Sequence, residues 1–151
     1  MVETGTSSFY SAIADSTDEP LLKAICKRIA ADEFRHYRTF LDGVKRYQPL
    51  ERVSTLRRLM VALGRLREAD DDELAFAFHA ANDQPGTAYE HARCNAAYGA
   101  QAYRLYRYQH VERAVGMVLK ASGLKPNGWL GRQATALAWR SLQGRARRLA
   151  A

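Results

Sequence analysis

The sequence predicts an all-helical protein. Alternating runs of Val, Ile and Thr are missing, and Ala, Leu, Arg and Glu recur at 3.6-residue spacing. Only 4 prolines fall in 151 residues, and with 47% hydrophobic residues the chain supports one real core and is too short to need two.

Taken in order, residues 2–15 form the first expected helix, which ends at Ser16-Thr17-Asp18. A second starts at Glu19-Pro20. There Thr17 or Asp18 is the expected N-cap, and Pro fits the first turn because its missing N–H would have no partner anyway. It continues to Tyr47, where Gln48-Pro49 is expected to stop it. Residues 51–67 make a third, with Val53, Leu56, Met60 and Leu63 on one face. The acidic turn Asp70-Asp71-Asp72 then caps a shorter helix through Ala81, and Asn82-Asp83-Gln84-Pro85-Gly86 is a loop. Further helical segments cover 89–106 and 111–121. Gly123 and the turn Lys125-Pro126-Asn127-Gly128 precede the last helix, 129–149. Residues 1–47 thus form a helix pair, and 51–151 a C-terminal helical region.

Charge is unevenly placed. Of the net +7, eight Lys or Arg and no acid lie from Arg113 onward, which leaves the preceding part near −1. The last helix sets Arg132, Arg140, Arg145, Arg147 and Arg148 beside Trp129, Leu130, Leu137, Trp139 and Leu142, a composition suited to an anionic membrane surface or equally to a solvated or domain-packing helix. No nucleic-acid recognition motif accompanies the charge, so nucleic acid is not an expected partner. The N-terminus lacks a signal-peptide pattern, and no window approaches the roughly 18 apolar residues of a membrane span. A cytoplasmic protein, with a peripheral membrane contact as an option, is expected. Cys26 and Cys94 lie far apart in no metal-type pairing and read as free thiols, Cys26 as core packing. Tyr98, Tyr103, Tyr106 and Tyr108 read as packing or an interface rather than a radical relay.

The chemistry concentrates in the second helix. At 100° per residue, Leu22, Ile25, Cys26, Ile29, Phe40 and Val44 share one stripe, with Lys23, Lys27, Arg35, Arg38, Asp42 and Lys45 opposite. Glu33 and His36 fall inside the apolar stripe. A carboxylate there is expected to be paired, protonated or bound to a metal, and the i,i+3 spacing lets both side chains hold one ion. If the first two helices fold back on each other near Asp18, equal path lengths bring Glu3 beside Glu33 and His36. Two carboxylates and one imidazole from neighbouring helices are half of a carboxylate-bridged di-iron or di-manganese site. Oxygen and imidazole donors suit those metals better than thiolate-preferring ones. The alternatives are a buried hydrogen-bonded Glu33–His36 pair, a stripe edge left partly wet and, for Glu3, an acid favoured at a helix N-terminus by the dipole.

Three stretches, Glu3-Thr4-Gly5-Thr6-Ser7-Ser8-Phe9-Tyr10, Asp18-Glu19-Pro20-Leu21-Leu22-Lys23 and Ile29-Ala30-Ala31-Asp32-Glu33-Phe34-Arg35-His36, resemble the second helix pair of ferritin-like di-iron carboxylate proteins. The rubrerythrin-related and acyl carrier protein desaturase branches are the most similar in wording. The resemblance covers the first 47 residues and implies a helical hairpin that is half of a four-helix bundle. It implies metal ligands Glu3, Glu33 and His36, with Asp32 as acceptor for a histidine behind the ligands and Thr6 facing an oxygen-binding pocket. The implied cofactor is a di-iron or di-manganese centre, and the implied activity, if the chain is an enzyme, is oxygen-dependent oxidation. Iron itself, a peroxide and a fatty acyl chain are all open as substrates. The family pattern also needs an earlier helix pair with another Glu and another Glu-x-x-His. His79, His91 and His110 have no Glu three residues before them, so no later segment supplies it. Either the missing pair precedes this chain in a longer protein, or a homodimer doubles Glu3, Glu33 and His36 into a full set; a single truncated chain would hold no stable two-metal centre. The competing expectation is a non-catalytic helical module descended from such a bundle, which binds membrane or protein partners through its basic C-terminal region.

Overall fold

Small residues on two sides of the first helix set the architecture. In the computed structural model, which describes residues 2–67 and 72–150, helix α1 (Val2–Ser16) buries Thr4, Ser7, Ser8, Ala12 and Ala14. Side chains this short let neighbouring backbones come close. Ser7 Oγ donates to the carbonyl of Ala30 in α2 (Pro20–Glu51), and Ser8 Oγ donates to the carbonyl of His110 in α6 (Tyr108–Ala121), both at 3.0 Å. Both serine hydroxyls are therefore satisfied by main-chain acceptors, avoiding the penalty of about 1–3 kcal/mol for an unpaired polar group, whereas the buried Thr4 Oγ1 has no hydrogen-bond partner.

The protein is all-helical: seven helices, and no strand among the described residues. The remaining four are α3 (Thr55–Arg67), α4 (Asp72–Asn82), α5 (His91–Arg104) and α7 (Trp129–Ala150). Asp70 and Asp71 of the expected acidic turn lie outside the described residues. Helices α1, α2 and α6 form one layer of contacts, α6 and α5 both pack on α7, α3 touches α6, and α4 packs on α5.

Two boundaries of α2 differ from the sequence expectation. Its N-cap is Glu19, not Thr17 or Asp18: the Glu19 carboxylate accepts from the N–H groups of Leu21 and Leu22, while Thr17 Oγ1 accepts from Glu19 N–H. Its C-terminus passes through Pro49 to Glu51. Proline here removes one intrahelical bond in the last turn, and the helix closes instead at Arg52, whose left-handed backbone (φ 42°) returns its N–H to Gln48 at 2.8 Å.

The core between α2 and α6 is built on Tyr37, Leu41 and Met117, flanked by Phe34 and Ala121. Tyr37 Oη donates to the Met117 carbonyl at 2.8 Å, and the Arg113 guanidinium sits 5.1 Å from the centre of the Phe34 ring. The tyrosines serve packing as expected: Phe9 stacks on Tyr106 and meets Tyr98, and Tyr108 meets Trp139 edge-on. Burial pushes the Tyr106 phenol up to about 12.

A histidine fastens α1 to α6. His110 is the third residue of α6 and 4% exposed. Its Nδ1 accepts the N–H of Arg107, the helix N-cap, at 3.0 Å, so Nε2 carries the proton and meets Asp15 Oδ2 at 2.9 Å. Gln109 Nε2 donates to the same carboxylate oxygen, and the Arg107 guanidinium donates to the Asp15 carbonyl. The hydrogen bond from His110 holds the Asp15 carboxyl below the usual carboxylate range. A carboxyl lowered by folding stabilises the native state fully above its unfolded value near pH 4, and that contribution is lost as pH falls through the lowered value. Thermal unfolding followed by circular dichroism should therefore show a drop in stability on acidification below about pH 4 that is shallower in Asp15→Asn.

At the other end of α6, Gly123 (φ 83°) takes the left-handed position and Leu124 N–H returns to the Leu119 carbonyl at 2.8 Å. The chain then turns so tightly into α7 that a Cβ on Gly131 would overlap the Pro126 carbonyl oxygen, a position only glycine can fill. No helix among the described residues is long and apolar enough to cross a membrane.

Candidate metal centre

Helices α1 and α2 run antiparallel, with Ser7 opposite Ala30. Carrying that register one turn toward the N-terminus brings Glu3 to the level of Glu33 and His36. Burial pushes the Glu3 carboxyl up, but a hydrogen bond from its own backbone N–H and the nearby amino terminus outweigh that, with His36 the smallest contributor, and the net shift is downward. On α2, His36 Nδ1 is 3.9 Å from Glu33 Oε2. Glu33 and His36 are thus neighbours with Glu3 at their level, but the three do not bring ligand atoms within 4.8 Å of one another as they stand.

That place is not a sealed interior. The buried line of α2 is Cys26, Ala30, Tyr37 and Leu41, rotated roughly 70° from the apolar stripe at 100° per residue. The Glu33 side chain is 24% exposed and that of His36 is 64% exposed. Leu22, Ile25, Phe40 and Val44, expected to share a buried stripe with them, are exposed as well. The physical reason lies in α1. Its Ser and Ala residues accept the backbone of α2 on the small-residue side, around Ala30, and leave the side bearing the large apolar residues uncovered. Glu33 and His36 consequently stand in the middle of an open apolar stripe, with Ile25 on one side along the helix and Phe40 on the other.

The residues expected around the ligands are placed as follows. Asp32 forms an ion pair with Arg35 on its own helix, so in the single chain it meets a guanidinium and not a histidine. Thr6 is half-buried one turn beyond Glu3. Cys26 is buried, as expected of a packing thiol.

As a donor set, two carboxylates and one imidazole fit a hard or borderline metal such as iron or manganese. One chain brings only half of the donors that a two-metal carboxylate centre uses.

A second group of candidate ligands was passed over in the sequence. His79 at the end of α4, Asp83 just beyond it and Cys94 in the first turns of α5 offer ligand atoms that all lie within 4.8 Å of one another. Their one legible signal is the i,i+4 spacing of His79 and Asp83. The Asp83 side of it was hidden in a segment that reads as a loop, and Cys94 reaches the pair only through the packing of α5 on α4.

Set against known proteins, the chain matches no family model, no curated relative and no solved structure.

Proposed function

We propose that this chain is a ferritin-like carboxylate metal protein in which two copies, packed through the open stripe of α2, complete a di-iron or di-manganese centre. The observation that carries the reading is the position of Glu33 and His36 in the middle of an uncovered apolar stripe, with Glu3 brought to the same level by α1. A two-fold axis through the stripe doubles the set to four carboxylates and two imidazoles, the donor count of a two-metal carboxylate site. The same contact removes Ile25, Phe40 and Val44 from water, which gives the pairing its driving force. When bound, the metal pair supplies oxygen-dependent redox chemistry. The chain's part is to balance charge with Glu3 and Glu33, to complete coordination with His36, and to exclude water with the apolar residues on either side.

Metal analysis of protein from iron-supplemented cultures tests the reading. Iron or manganese should copurify with the native chain and be lost in Glu33→Ala. Metal-free native protein whose stability is indifferent to chelation and to added ferrous iron would sink it.

One observation favours a second reading, a helical binding module that works through α7. Trp129, Leu130 and Leu137 are exposed on the same helix as the exposed Arg132, Arg140, Arg145, Arg147 and Arg148, which suits an anionic membrane surface. Salt-sensitive cosedimentation with phosphatidylserine vesicles supports it, and equal recovery with neutral and anionic vesicles contradicts it.

A further inference from the structure

We propose that His79, Asp83 and Cys94 bind one zinc ion that clamps α4 to α5. The three residues are Nδ1 of an imidazole, a carboxylate oxygen and a thiol sulfur, the donor types zinc takes in proteins. A tetrahedral ion with bonds of about 2.0–2.3 Å needs donor atoms roughly 3.3–3.7 Å apart. Here His79 Nδ1 lies 2.5 Å from Asp83 Oδ2, and Cys94 Sγ lies 4.0 Å from the same oxygen. One separation is a little short, another a little long, and the third, between His79 and Cys94, is within 4.8 Å, so entry of the ion requires shifts of about 1 Å from side chains already gathered together.

The surroundings favour a resident cation over an accidental meeting of polar groups. Cys94 is fully buried and the side chains of His79 and Asp83 are 16% and 14% exposed. The rings of Phe76 and Tyr89 stand against the His79 ring, with centroids 6.1 and 5.4 Å away. The Asp83 N–H bonds the His79 carbonyl at 2.9 Å, which fixes the carboxylate at the C-terminal end of α4, where helix carbonyls favour positive charge. Arg93 grips both oxygens of Asp83 and keeps the carboxylate ionised. With an ion on Oδ2 the guanidinium would stay on Oδ1 and orient the ligand from behind. On binding, Cys94 releases its proton to solvent, so thiolate and carboxylate together neutralise the two charges of the metal. The thiolate distinguishes this site from the Glu3, Glu33 and His36 set, whose oxygen-rich donors suit iron or manganese. Three protein ligands leave a fourth position for water. Helix α4 packs chiefly on α5, so the ion would fasten it across its main contact.

The test is cobalt substitution and zinc titration on the full chain. Cobalt(II) added to the metal-free protein should give a thiolate-to-cobalt charge-transfer band and tetrahedral visible bands at one ion per chain. Zinc should displace the cobalt and raise the melting temperature. Cys94→Ser should abolish the charge-transfer band, and His79→Gln and Asp83→Asn should weaken zinc, competed against a chromophoric chelator, by about tenfold or more. Glu33→Ala should leave all of this unchanged, so failure here and failure of the iron reading are separable. Native protein that gives no thiolate-to-cobalt band, or zinc affinity equal in native, His79→Gln and Asp83→Asn proteins, would overturn the proposal, and the native spectrum decides even if a variant does not fold.

Discussion

Phe40→Lys is expected to leave the chain folded while removing self-association and iron binding in one step. Phe40 is 62% exposed and lies one helical turn beyond His36, outside the core formed by Tyr37, Leu41 and Met117. A surface substitution of this kind shifts single-chain stability by no more than about 0.5 kcal/mol. In a two-fold pair through the same stripe, each copy would bring a new ammonium group against an apolar partner face, and an unpaired charge buried in this way costs several kcal/mol. Sedimentation velocity and metal analysis on one preparation check both effects. A Phe40→Lys protein that is monomeric yet holds the native amount of iron would separate the metal from the pairing and contradict the link between them.

The second large effect is on the fold that positions Glu3. His110→Ala should destabilise the protein by about 2–4 kcal/mol, read as a lower urea midpoint with little change in slope. The imidazole is buried and joins two elements: it takes the N-cap N–H of α6 and meets the Asp15 carboxylate at the end of α1. Removing it orphans the Arg107 N–H, empties a ring-sized space and loosens α1 from α6. Gln109→Ala, which removes a contact from an exposed residue to the same carboxylate, should shift the midpoint far less. Because α1 carries Glu3, His110→Ala should also weaken metal retention, whereas Gln109→Ala should not.

The helices were legible because the sequence repeats at 3.6 residues and punctuates with Pro, Gly and Asn. The capping of α2 was misread at Thr17 and Asp18, since short polar side chains usually take that role and Glu19 reaches the same N–H groups with a longer arm. The height match of Glu3 with Glu33 and His36 followed from counting residues down one helix and back along the next. Which side of α2 is covered did not follow. Hydrophobicity pointed to the Leu22, Ile25 and Phe40 side, but Ser7, Ala12 and Ala30 are too small to register in such a pattern, and it is their size that lets the helices meet. The His79, Asp83 and Cys94 cluster depends on a tertiary contact between α4 and α5 that no local spacing encodes.

The doubled site is tested most directly by sedimentation equilibrium of the native chain, metal-free and after anaerobic addition of ferrous iron, with iron counted in the sedimented species. The account predicts a dimer on iron addition that holds two iron ions per pair of chains. A chain that stays monomeric both with and without iron would contradict it.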